Sequence, residues 1–184
     1  MAEIHVSGAA ARAFTIPAAR PVAYQFYSSL PRILPFLPRI ELVSADQNEV
    51  YRIAYRSLEL NVYDVDIPCD LQVFVAEGPA VLRIRPAEQS PFPAVKPYAT
   101  LRSCRAMGEF EIESRFLSVS EHETRIDYQL KLSSKLPKPT GLTLLPSYMM
   151  HSVVEKIVQM RINEIVDHFV VQSTAAFRTR FVGD

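Results

Sequence analysis

Histidines, cysteines and clustered carboxylates are the side chains of this 184-residue chain whose types and spacing could do chemistry. His151 and Glu155 share a helix face, but a zinc-binding helix needs a second histidine at that spacing and none is there. His5, His122 and His168 are scattered, with His122 in the turn "SEHET". Cys69 and Cys104 lack metal-ligand spacing and sit in apolar, strand-like stretches, which reads as two buried free thiols. Asp64, Asp66 and Asp70 alternate on one face of a strand, the pattern of a solvated face rather than of an acidic site. No Gly-x-Ser-x-Gly elbow occurs, and no glycine-rich phosphate loop is present among five glycines. These residues predict no catalytic set, no metal site and no cofactor.

One group keeps a chemical reading. In "SYMMHSVVEKIVQMRINEIVDHFV", Arg161 lies on the apolar line of Met150, Val154 and Ile157, with Glu164 and His168 beside it at helical spacings. It is either part of a polar seam turned to solvent or the charged contact for the polar end of a ligand. The same stretch opens on Tyr148, Met149, Met150 and His151, where methionines offer an adaptable surface to an irregular apolar partner, or simply anchor a loop.

The elements that must position these residues follow from periodicity. "RAFTIPA", from Arg12 to Ala18, reads as a short strand, and the Leu-Pro repeats at Leu30, Leu34 and Leu37 permit two short helices, because proline is tolerated in a first turn. From Ile40 to Ser133 the pattern has period two, with short turn signals "ADQNE", "EGPA" and "SEHE", which predicts an antiparallel meander. Phe110, Ile112, Phe116, Ile126, Tyr128, Leu130 and Leu132 face inward; Glu109, Glu111 and Glu113 face water. Pro68 demands a bend, bulge or edge. The proline-bearing connections from Gln89 to Thr100 and from Leu136 to Pro146 are the loops to watch. A helix follows from Ser147 to about Ala176, roughly 45 Å long, with turns beyond that which project or fray. The fold class is α+β, and the ordered part of a single domain spans about 12–176.

Twenty basic residues balance twenty acidic ones, so no global field favours nucleic acid. No apolar run is long enough to span a bilayer and the amino terminus has no signal-peptide pattern, which predicts a soluble, unsecreted protein of the cytoplasm or of a plastid stroma. Peripheral contact with a membrane and a protein partner stay open.

The order of strand, two short helices, six strands and long final helix resembles the START-like helix-grip superfamily (SRPBCC, polyketide cyclase and lipid-transfer-like proteins). "FTIPAARPVAYQFYSSLPRILPFLPRIELV" and "LNVYDVDIPCDLQVFVAEGPAVLRI" are most similar to an uncharacterised branch found mainly in cyanobacteria and plastids. The glycine-rich loop of the plant allergen members is missing. The resemblance implies a curved antiparallel sheet wrapped on the last helix, with a cavity between them. The residues expected at that cavity are Tyr63, Phe110, Ile112, Tyr128, Met150, Val154, Ile157 and Arg161, with the loop from Leu136 to Pro146 at its rim. The expected partner is a small hydrophobic molecule, a lipid, isoprenoid, pigment or aromatic metabolite. The alternatives are a cyclase or hydrolase using Tyr63, Tyr128, Arg161 or His151 in proton transfer, and an assembly module without a ligand.

Overall fold

Alternation of inward apolar and outward polar residues builds the sheet. The computed structural model describes residues 3–75, 80–138 and 147–181, with the side chains of all but 75 and 147–151. Among these, nine strands form: β1 (Glu3–Ile16), β2 (Ile40–Ala45), β3 (Val50–Glu59), β4 (Tyr63–Val75), β5 (Val81–Pro86), β6 (Tyr98–Ala99), β7 (Ser103–Arg105), β8 (Gly108–Ser120) and β9 (Glu123–Pro137). Helices α1 (Arg20–Tyr27) and α2 (Leu30–Ile33) lie between β1 and β2, and α3 (Ser147–Phe181) closes the order. The strands run β1-β9-β8-β5-β4-β3-β2 across one sheet.

The predicted faces of β8 and β9 are those observed: Phe110, Ile112, Phe116, Ile126, Tyr128, Leu130 and Leu132 are all buried. The six expected strands form as β2–β5, β8 and β9 and pair antiparallel; the short β6 and β7 were not expected, and β7 runs parallel to β4 over Asp64–Asp66. Pro68 lies on β4 between that segment and the one paired with β5 from Leu71 onward, so its missing N–H falls where the outer edge of β4 has no strand partner. Asp70 is not solvated. Its carboxylate takes Arg52 Nε and Nη2 at 2.6 and 2.8 Å, and the same guanidinium donates to the Pro93 carbonyl and lies 5.1 Å from the Phe92 ring. The proline-bearing loop is thereby tied to the sheet.

Two expected limits of order move outward. β1 starts at Glu3 rather than near Arg12, pairing with β9 from Glu3↔Pro137 to Ile16↔Thr124. Helix α3 runs on to Phe181, because Phe177 is fully buried, stacks on Phe181 at 4.7 Å and meets Phe26 edge-on at 5.1 Å. Aromatic contacts of this kind hold a terminal turn that would fray alone.

Candidate functional site

The apolar stripe of α3 divides into two halves. Ile162, Ile165, Val166, Phe169, Ser173 and Phe177 recur at steps of three and four and are all buried, as a packed helix face requires. Upstream, Val154, Ile157, Val158 and Arg161 are only partly covered. Beneath them lies a cavity of about 530 Å³, walled by Ile4 and Val6 of β1, Tyr63, Val65 and Ile67 of β4, and Leu132, Ser134 and Leu136 of β9. This size is in the range of small-molecule sites. Leu60, Val62 and Val153 border the cavity while remaining exposed, and so form an apolar rim. Leu60 and Asn61 both have left-handed φ values, 51° and 59°, a conformation a leucine adopts only at a cost.

What holds α3 across the cavity is its seat on β1. Gly8 is the close approach: a Cβ there would lie 2.5 Å from Ile162 Cδ1 and 3.1 Å from Val158 Cγ1. Gln159 donates to the Ala9 carbonyl at 2.9 Å, and Arg12 Nε meets Asp167 at 2.7 Å. The helix is therefore pinned where β1 is smallest, and its first half bridges open space.

The walls are apolar except at one end. There Glu59, at the end of β3, accepts from Tyr55 at 3.0 Å, from Ser57 at 2.5 Å and from Arg161 Nε and Nη2, the latter at 3.1 Å. Arg161 Nη1 donates to Glu164 at 2.6 Å, and Arg39 bridges Glu164 and Ser57 at 3.2 and 3.3 Å. The ring of residues closes on itself. Burial opposes ionisation of Glu59, but the donors Arg161, Ser57 and Tyr55 together outweigh it and hold the carboxyl below its usual range. Hydrogen bonds from Arg161, joined by the charge of Arg39, likewise lower Glu164. Arg161 is driven further up by its bonds to Glu59 and Glu164. Burial pushes Tyr55 up to about 12.

On the adjacent strand, where Tyr63 is the cross-strand partner of Glu59, the Tyr63 phenol sits against the Cys104 thiol. Burial raises both above their ordinary values, and the thiol's proximity adds to the rise at Tyr63. Cys69 and Cys104 are free and buried. Among the described residues no cluster of His, Cys, Asp and Glu could hold a metal ion, and no helix is long and apolar enough to cross a membrane.

Of the residues expected at the cavity, Tyr63, Val154, Ile157 and Arg161 line it together. Phe110, Ile112 and Tyr128 do not. They are buried in the packed part of the sheet, Tyr128 stacked on Phe169 at 4.6 Å with its hydroxyl unpartnered among the described residues. An inward-facing position on β8 or β9 meets either the packed or the bridging half of α3, and alternation alone does not say which. The side chains of Met149, Met150 and His151 and the loop segment 139–146 lie outside the described residues, whereas Leu136 and Pro137 border the cavity. Arg161 faces the cavity rather than solvent, but it is already paired. The residue that sequence reading missed is Glu59. Its signal was present: Ile53, Tyr55, Ser57 and Glu59 alternate onto the inner face of β3, so a carboxylate there demands partners.

No family model and no curated protein matches the chain. Solved structures do match over nearly its whole length. A protein from Thermus thermophilus is 18% identical with a TM-score of 0.54, covering 92% of this chain and 98% of its own. A conserved protein from Geobacillus kaustophilus is 8% identical with a TM-score of 0.53, covering 94% and 95%. The Zhui aromatase/cyclase from a Streptomyces species is 12% identical with a TM-score of 0.50, covering 96% and 98%. At such identities the likeness is one of fold. The chain has a helix-grip fold, an α+β arrangement of curved sheet and long C-terminal helix.

Proposed function

We propose that the protein binds a small hydrophobic molecule in the cavity between β4, β9 and the first half of α3. The observation that carries this reading is a space of about 530 Å³ whose charged lining groups among the described residues, Glu59 and Arg161, neutralise one another at one end. Packed domains seldom leave so large an apolar void, and an exposed apolar rim gives a way in. The fold it shares with an aromatase/cyclase is compatible with catalysis, but the titratable groups on the described walls are Tyr55, Glu59, Tyr63, Cys104 and Arg161, each shifted away from neutrality. General acid–base work favours a group near the working pH. That favours holding a ligand over moving its protons.

The test is native mass spectrometry of the protein purified from its own source, with extraction of whatever is bound, together with thermal shift using the neutral probe N-phenylnaphthylamine. A ligand at a hundredfold excess over its dissociation constant should stabilise the fold by about 2.7 kcal/mol. Ile157→Asp, which places a charge in the cavity, should abolish that gain, whereas Glu111→Lys on the outer face of β8 should retain it. A native protein that carries nothing and a probe that neither binds nor raises the melting temperature would count against the reading.

A further inference from the structure

The polar end of the cavity is lined by Glu59 and Arg161, and behind them Arg39 and Glu164 complete the ring, two cations against two anions, so its net charge is zero. The hydrogen-bonding capacity is nearly filled as well. An ionised carboxylate offers about four lone-pair sites, and Glu59 receives Tyr55, Ser57, Arg161 Nε and Arg161 Nη2. A guanidinium carries five N–H donors; one on Nε, one on Nη2 and one on Nη1 are engaged by Glu59 and Glu164, which leaves two without a partner among the described residues. The end of the cavity thus has donors to spare and acceptors already occupied.

We propose that this end selects ligands bearing an uncharged oxygen acceptor, such as a carbonyl, ester or ether, over ligands bearing a carboxylate at the same place. The inference rests on the cavity being a ligand site. A neutral oxygen takes the spare Arg161 N–H bonds and disturbs nothing. A carboxylate has two courses, both unfavourable. It adds an uncompensated anion to an apolar wall where Glu59 already neutralises Arg161, or it displaces Glu59 from Arg161 and leaves that side chain, only 10% exposed, without its counter-charge. A cationic ligand fares no better, because Glu59 is already neutralised by Arg161 and both of its oxygens are engaged. The arginine on the apolar stripe therefore acts as a neutral donor, its charge being cancelled within the protein.

The experiment measures displacement of N-phenylnaphthylamine from the full chain at neutral pH by methyl dodecanoate and by dodecanoate. The ester should bind tighter than the carboxylate by about tenfold or more. Apolar surroundings alone would also disfavour an anion, so the decisive measurement is the same pair on Glu59→Gln. That change leaves the polar end with a net positive charge and should erase or reverse the preference. Glu164→Gln makes the same change of charge at a more exposed position and serves if Glu59→Gln does not fold. Dodecanoate binding as tightly as the ester in the parent would overturn the inference and leave the cavity reading standing. So would a preference for the ester that survives intact in the folded variants. If neither the probe nor either compound binds the parent, the cavity reading fails and the inference fails with it.

Discussion

Replacing Arg161 by methionine tests whether the ring of charges at the cavity behaves as one unit. Methionine keeps an apolar stem of similar reach over the cavity but removes the guanidinium from Glu59 and Glu164. Losing one partner of a buried pair costs about 3–5 kcal/mol. Here Arg161 retains 19% exposure and Glu59 keeps the hydroxyls of Tyr55 and Ser57, which places the expected loss lower, at about 2–3 kcal/mol. For a domain of this size each kcal/mol shifts the melting temperature by roughly 2–4 °C, so the variant should melt roughly 4–12 °C below the parent. The pH dependence gives a second reading. In the parent, Glu59 titrates below its unfolded value, so its contribution is present above that value, about 4.3, and is lost as pH falls through the lower folded one. In the variant, burial without the guanidinium raises the folded value above the unfolded one. The penalty is then full at neutral pH and fades as pH falls through that raised value. The deficit between parent and variant should shrink between pH 7 and pH 4 in urea titrations. Adding Glu59→Gln to the variant should recover much of the loss, since a neutral pair leaves no orphaned charge. A single variant as stable as the parent, or a double variant that costs the full sum of its parts, would refute the coupling.

The two halves of α3 should respond differently to truncation: Phe169→Ala, which opens a hole against Tyr128, should cost about 3–5 kcal/mol, whereas Ile157→Ala at the cavity should cost under about 1.5 kcal/mol by chemical denaturation. Equal losses would mean that the cavity is filled by the protein itself. Tyr128→Phe should be neutral or stabilise by about 1 kcal/mol, because the phenol is buried without a hydrogen-bond partner among the described residues; a loss would reveal one. Leu60→Gly should relieve the left-handed leucine and raise stability or leave it unchanged, an effect of about 1 kcal/mol, while weakening N-phenylnaphthylamine binding at the rim. Unchanged probe affinity would remove Leu60 from the entrance.

Legibility tracked how strongly each residue's surroundings imposed a pattern. β8 and β9 were readable because Phe110, Ile112, Ile126 and Leu130 alternate with charged residues across a buried face. The first half of β1 was not, and the reason is α3: Gly8 must be small for the helix to lie close, and that removes the bulk by which a strand is recognised. Glu59 was overlooked because one carboxylate at a strand end reads as a turn residue until Arg161, far along the chain, is placed against it.

The sequence by itself determined β2–β5, β8 and β9, though not the short β6 and β7, and with them the two proline-started helices, the long final helix and the inward faces of β8 and β9, since each of these is written in a local period of two or of three to four residues. It also placed Arg161 on the apolar line of α3. Only the tertiary structure decided that the first half of that helix stands off the sheet while the second half packs on it, and hence that Tyr63, Val154 and Ile157 meet at the cavity while Phe110, Ile112 and Tyr128 fill the core. The cavity and the cancelled charge at its end arise where β1, β3, β4, β9 and α3 converge. A void is a relation between surfaces far apart in the chain, and so is the pairing of Glu59 with Arg161, and no local period records either.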